Sequence, residues 1–217
     1  MLAFTLDARQ IFGKKSNRKV LSLSTIPCSH YLILNIMYKF APASEDETIV
    51  YGSAKPGYSD EKVLQWVEFM RSQNIKRICC LLAQSQLNQY SNLIELYQKE
   101  FGLKQVCWAP IEDFNLADKQ LLIEKILPFL AEGDCQSEKV VVHCSAGIGR
   151  TGQVLAAWLV YGRGFSNQEA ISTVMRMKRN PYEFIVATAM KGKNPWQAVS
   201  QLNLLLDDCR NFSEKNR

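Results

Sequence analysis

Residues 140 to 162 read VVVHCSAGIGRTGQVLAAWLVYG. A short run of β-branched residues, apolar on both faces, reads as a buried strand. A small-residue loop follows, and then an apolar stretch of helical length. Cys144 closes the strand, Arg150 opens the helix, and Gly147 and Gly149 lie between them. Glycine reaches backbone angles that other residues avoid, so successive N–H groups of such a loop can point inward together. The helix start adds its dipole and its unbonded amides at the same spot. Ligands of open α/β sheets bind at the carboxyl ends of strands, which is where Cys144 stands. Ser145, Ala146, Gly147, Ile148 and Gly149 are thus read as a cup of donors sized for a tetrahedral dianion, with a thiol at its base. Arg150 supplies a planar fork that can take two oxygens at once, and the Thr151 hydroxyl can donate to the sulfur. A thiol so surrounded is expected to be held as thiolate, a nucleophile and not core filler.

Working outward, the periodicity alternates between strand and helix. YKFA and TIVYGSA read as a strand pair at the sheet edge. SDEKVLQWVEFMRSQN has an acidic first turn and apolar residues Val63, Leu64, Val67 and Met70 at helical spacing. IKRICCLL reads as a buried strand, QLNQYSNLIELYQKEFG as one helix stopped by Gly102, and KQVCWAPI as the next strand. ADKQLLIEKILPFLAEG is a helix bent or ended near Pro128. After the central strand come three helical segments. SNQEAISTVMRMKR opens on Ser166 and Glu169 as a capping box, and NPWQAVSQLNLLLDDC has Asn194 ahead of Pro195. This pattern predicts an α/β fold: one domain with a mostly parallel central sheet flanked by helices on both faces.

The totals bound the function. With 217 residues, 47% hydrophobic and 22% charged, the chain has material for one packed domain. A net charge of +5 without a dense basic stripe argues against nucleic-acid binding, yet suits an anionic ligand. Seven cysteines with no C-x-x-C pair, and only two histidines, argue against zinc and for a reduced, cytoplasmic protein. No apolar run reaches the ~20 residues of a membrane span. Residues 1–36 hold Arg9, Lys14, Lys15, Arg18 and Lys19 against the single acid Asp7. They read as a basic extension, floppy or strand-like, with a transit peptide or a start at Met37 as alternatives; residues 37–217 are taken as the domain.

The run HCSAGIGRTG resembles the signature loop of cysteine-dependent protein tyrosine phosphatases, Cys-x5-Arg-Ser/Thr preceded by His, and the length resembles their compact dual-specificity branch. That resemblance covers roughly residues 37 to 180. It implies catalysis by Cys144, Arg150, Thr151 and an aspartate from a loop about 30 residues upstream. WAPIEDFNLAD offers Glu112, Asp113 and Asp118. Asp113, flanked by Ile111 and Phe114, is taken as the general acid, with Asp118 read as a helix cap. The tryptophan-proline-aspartate run of the larger tyrosine-specific enzymes is absent. His143 is given a supporting role toward the loop backbone. The implied reaction is hydrolysis of phosphotyrosine in a phosphorylated protein partner through a phosphocysteine, extending to phosphoserine and phosphothreonine if the pocket is shallow. It needs no cofactor and no metal, and a monomer suffices. The alternative is a phosphoinositide or other small phosphoester, although the loop lacks the lysines that inositide-specific relatives carry. Lys55 in KPGYS resembles a residue flanking such sites. Trp158 and Trp196 are read as core, Arg179 as a solvated helix end with extension of the anion-binding surface as the alternative, and Cys79 and Cys80 as buried thiols, one of which could pair with an oxidised Cys144.

Overall fold

The computed structural model describes residues 28–190 and 194–215. Its elements are α1 (Cys28–Tyr38), β1 (Ala41–Pro42), β2 (Val50–Ala54), α2 (Asp60–Ser72), β3 (Ile75–Cys80), α3 (Gln84–Leu87), α4 (Leu93–Phe101) and β4 (Val106–Trp108). Next come α5 (Lys119–Leu121), a π-turn (Leu122–Ile126), α6 (Leu127–Cys135), β5 (Lys139–Cys144), α7 (Gly149–Arg163), α8 (Asn167–Arg176), α9 (Phe184–Met190) and α10 (Pro195–Lys215). The sheet order is β1-β2-β5-β3-β4, antiparallel only at the β1–β2 edge. Pro42 sits in that edge strand, where a missing N–H costs no ladder bond.

Strand alternation explains the two layers. Val140, Val142 and Cys79 face a core shared with α6, α7, α8 and α10. Val141, Ile78 and Cys80 face the opposite core, built on Trp66, Met70 and Tyr97 of α2 and α4. Helix α7 is buried from Gly149 to Val160, so the sequence that follows the nucleophile is the axis of one layer. Among the described residues no helix is long and apolar enough to cross a membrane.

Several expectations need correction. The stretch read as one helix over 86–102 is two, α3 and α4. Tyr90 turns inward between them and donates from its hydroxyl to Pro56 O at 2.8 Å, which breaks the helical path. Among the described residues four helices follow β5 instead of three, the extra one being the short α9, whose two turns leave little periodic signal. The helix containing Pro128 neither ends nor breaks. Leu127 N–H bonds Leu122 O in a π-type register just ahead of the proline, and this widened turn accommodates the residue that has no N–H. The basic residues of the N-terminal extension lie outside the described residues. The last part of that extension is helical, α1 running across the 36/37 boundary. Trp158 is core, but Trp196 is 79% exposed on α10.

A buried carboxylate fastens the β1–β2 turn to α7. Glu47 accepts from Ile49 N (2.8 Å), Val50 N (3.2 Å), Trp158 Nε1 (2.9 Å) and the Arg163 guanidinium (2.9 and 3.1 Å). Arg163 also pairs with Asp134 at 2.6 Å, which ties in α6. Burial alone would raise the Glu47 pKa, but the hydrogen bonds from Arg163, Ile49 and Trp158 outweigh it and hold the pKa below the ordinary value. A depressed carboxylate stabilises the fold above its unfolded pKa, near 4.3, and that contribution is lost as pH falls through the folded value. Glu47→Ala should lower unfolding free energy by about 3 kcal/mol at neutral pH. Urea titrations at several pH values should show the gap to wild type shrinking below pH ~4.

Candidate active site

Cys144 ends β5 opposite Ala54 of β2 and is 2% exposed. Thr151 Oγ1, buried one turn into α7, donates to Cys144 Sγ at 3.1 Å. The loop between them depends on Gly147, whose φ is +68°. A Cβ there would lie 2.5 Å from the Ser53 carbonyl and 2.6 Å from Ala54 N, so both conformation and space require glycine. Ser145 O accepts from Lys55 N at 3.3 Å, which fixes the loop's first residue to the end of β2. Ala146 is exposed, whereas Gly147 and Gly149 are buried. Ile148 precedes the first turn of α7 and accepts from Gly152 N at 2.9 Å.

Arg150 is 2% exposed, yet its guanidinium opens onto three different loops. Nη1 donates to Ile111 O (2.8 Å), Gln86 Oε1 (2.8 Å) and, more weakly, Leu81 O (3.4 Å). Nη2 stands 3.0 Å from Asp113 Oδ1 in an ion pair. The carboxylate singled out in the sequence therefore meets the arginine singled out in the sequence. An entering phosphate dianion would compete with Asp113 for that guanidinium. Of the alternatives, Asp118 accepts from Leu121 N at 2.9 Å as the cap of α5, and Glu112 is exposed.

His143 is fully buried, boxed by the rings of Trp66 (5.2 Å) and Tyr97 (5.7 Å). Burial drives its pKa down to about 3 against the opposing pull of the Cys144 backbone, and Lys55 and Arg150 push the same way. It is a neutral ring at physiological pH and packs beneath the site. Lys55 lies at the rim, its Nζ 3.4 Å over the Tyr58 ring and 3.1 Å from Tyr90 Oη. Cys79 and Cys80 are buried thiols. Cys79 sits opposite Cys107 in the β3–β4 pairing, and burial pushes Cys80 up to about 12.

Two residues of the site were missed in the sequence. Gln86 joins the loops: Nε2 donates to Ser145 Oγ (2.8 Å) and Asp113 Oδ2 (3.3 Å), while Oε1 takes Arg150 and Ala83 N. Its place within a polar QSQLNQ run gave no signal. Arg179, expected at a solvated helix end, is 2% exposed and donates to the carbonyls of Gly147, Gly52 and Lys39. Desolvation lowers its pKa to about 10, partly countered by Cys144, so it remains a cation beneath the phosphate loop.

A buried thiol at a strand end, a glycine-shaped cup, an internal arginine and a facing carboxylate thus meet at the carboxyl edge of a mostly parallel α/β sheet. The model of the dual specificity phosphatase catalytic domain matches residues 63–187, and the chain belongs to that family. The Tyrosine-protein phosphatase CDC14 of Candida albicans is 40% identical over 60 residues, 26% of this chain and 11% of that protein. The amyloplastic phosphoglucan phosphatase DSP4 of Castanea sativa is 30% identical over 118 residues, 52% of this chain and 31% of that one. The match thus spans a third or less of each of these relatives. The crystal structure of Tk-PTP in its active form aligns with a TM-score of 0.56 at 25% identity, over 75% of this chain and 97% of that one.

Gly147→Ala should distort the cup, because a side chain at positive φ costs about 1–3 kcal/mol. Protection of Cys144 from alkylation by vanadate should weaken roughly 10-fold or more, with the circular dichroism spectrum retained. Undiminished protection would show that the loop does not need glycine there.

Proposed function

We propose that this protein is a phosphoric monoester hydrolase acting on phosphotyrosine in proteins through a phosphocysteine intermediate. The observation that carries the reading is Arg150. It adjoins the loop that holds Cys144, and its guanidinium faces Asp113 at 3.0 Å, so nucleophile, anion binder and acid converge. In the proposed reaction Cys144 Sγ attacks phosphorus while loop amides and Arg150 hold the equatorial oxygens. The bond to the leaving oxygen breaks as Asp113 delivers its proton there. Water then attacks the phosphocysteine and gives a proton to Asp113. The S–P bond breaks, and the departing thiolate is met by the Thr151 hydroxyl.

Ser145, Ala146 and Ile148 bring no cation into the cup, which favours a substrate with one phosphate over an inositide with several. Phe114, half-exposed beside the acid, offers an aromatic surface to a phenolic leaving group. Phosphoserine and phosphothreonine are served if the pocket is shallow. The chain is proposed to act in the cytoplasm as a monomer, with residues 1–36 as an extension outside the catalytic domain.

Hydrolysis of p-nitrophenyl phosphate with chelator present should be abolished by Cys144→Ser and by Arg150→Ala. Asp113→Ala should slow turnover on the order of 10²-fold, with KM largely kept. Activity surviving Cys144→Ser would defeat the mechanism. A panel of phosphotyrosine, phosphoserine and phosphothreonine peptides, phosphoinositides and phosphoglucan should rank phosphotyrosine first; preference for a lipid or a glucan would replace the substrate class but keep the chemistry.

A further inference from the structure

We propose that Gln153 is a positioning residue for Asp113: its buried amide holds the acid-bearing loop shut over the phosphate cup before any substrate arrives. This rests on the functional reading above and adds to it the device that makes the acid effective.

The acid loop runs from Ile111 to Asp118. At its entry Ile111 N donates to Leu81 O (3.2 Å), and Ile111 O accepts from Arg150 (2.8 Å). At its tip Asn115 N bonds Glu112 O at 3.2 Å, closing a turn with Asp113 and Phe114 at its centre and Phe114 at φ +56°. Both tip residues are half-exposed, and among the described residues the tip is tethered through the Asp113 carboxylate alone, 3.0 Å from Arg150 Nη2 and accepting from Gln86 Nε2 at 3.3 Å, contacts that an entering phosphate would disturb. At the exit, where Ala117 is buried in the core, the loop backbone is bound by Gln153. Gln153 Oε1 accepts from Ala117 N at 2.8 Å, and Gln153 Nε2 donates to Asn115 O at 3.2 Å.

Gln153 is 1% exposed and lies three residues after Arg150, on the same face of α7. One helical turn therefore grips the acid loop at both ends, by a guanidinium at the entry and an amide at the exit. The amide's partners are backbone groups of the loop, and an apolar side chain would fill the same space. If the loop swung away, a buried C=O and a buried NH2 would lose their partners, which disfavours the open state by roughly 10- to 100-fold. The proton donor is thereby positioned in advance of binding, without drawing on substrate contacts.

Leaving groups that need no proton separate this role from a general structural one. In Gln153→Met, which keeps length without the amide, kcat/KM for phenyl phosphate should fall on the order of 10- to 100-fold. For 2,4-dinitrophenyl phosphate, whose phenolate departs unaided, it should change less than about 3-fold, and vanadate inhibition should stay within about 3-fold of wild type. Gln153→Glu, which retains the acceptor for Ala117 but loses the donor to Asn115, serves if the methionine variant does not fold; its loss should show the same selectivity. Equal losses on both substrates, or no loss on either, would overturn the proposal. Asp113→Asn run alongside separates the two levels. Selective loss there without it in the Gln153 variants sinks the clamp alone. Absence of selectivity in Asp113→Asn sinks the acid assignment and the clamp with it.

Discussion

The site depends on how one buried guanidinium is satisfied. Arg150 is removed from water, so its donors must find partners or leave a costly orphan charge. Nη1 finds them in the carbonyls of Ile111 and Leu81 and the amide of Gln86, while Nη2 has the Asp113 carboxylate at 3.0 Å as its charge partner and makes no hydrogen bond among the described residues. Those four groups come from the residue after β3, the short helix α3 and the loop after β4. The same contact that prepares an anion site thus fixes where three chain segments cross. A lysine could not do this, because a single ammonium cannot reach carbonyls and carboxylate in several directions at once.

Beneath the cup lies a second guanidinium. Among the described residues Arg179 is bound by carbonyls alone, including that of Gly147 in the loop itself, and it remains charged despite its burial. Two cations therefore converge on one thiol, and of the two Arg150 is the one balanced by a carboxylate, Asp113. A site poised in that way carries excess positive potential at the sheet's carboxyl edge. It is suited to a dianion, which can replace Asp113 on Arg150 and so release that side chain, which in the proposed reaction meets the leaving oxygen in its protonated form. Steric constraint agrees with the electrostatics: Gly147 lets Arg179 and β2 approach the loop from below, where any side chain would collide with Ser53.

The part of this visible in the sequence was local. The strand, the loop glycines, Arg150 and Thr151 are contiguous, and their order dictates which groups point at Cys144. Asp113 was reached through the family resemblance and the spacing, and Asp118 through its position at a helix start. The sheet's layers were legible because β5 and β3 are apolar on both faces. Contacts that join distant segments were not legible. Gln86, Gln153 and Arg179 act on backbone carbonyls and amides, groups every residue possesses, so no complementary partner type stands out in the chain. The split of α3 from α4 failed for a like reason, since what breaks that helix is a Tyr90 contact with Pro56, far earlier in sequence.

The exposures of the two reacting side chains fit the proposed cycle. Cys144 is nearly inaccessible, which keeps its sulfur among fixed dipoles and away from competing solvent. Asp113 is 44% exposed at its side chain, and this matches a group that must change protonation twice per turnover. In the proposed cycle it gives a proton to the leaving oxygen and recovers one from water, so a sealed acid would need a relay that the site does not contain among its described residues. An exposed acid, however, sits on a loop free to wander. Mobility and access come together at the tip of such a loop, and the fold separates them by anchoring the backbone on either side of Asp113 to α7 while leaving the carboxylate itself at the surface.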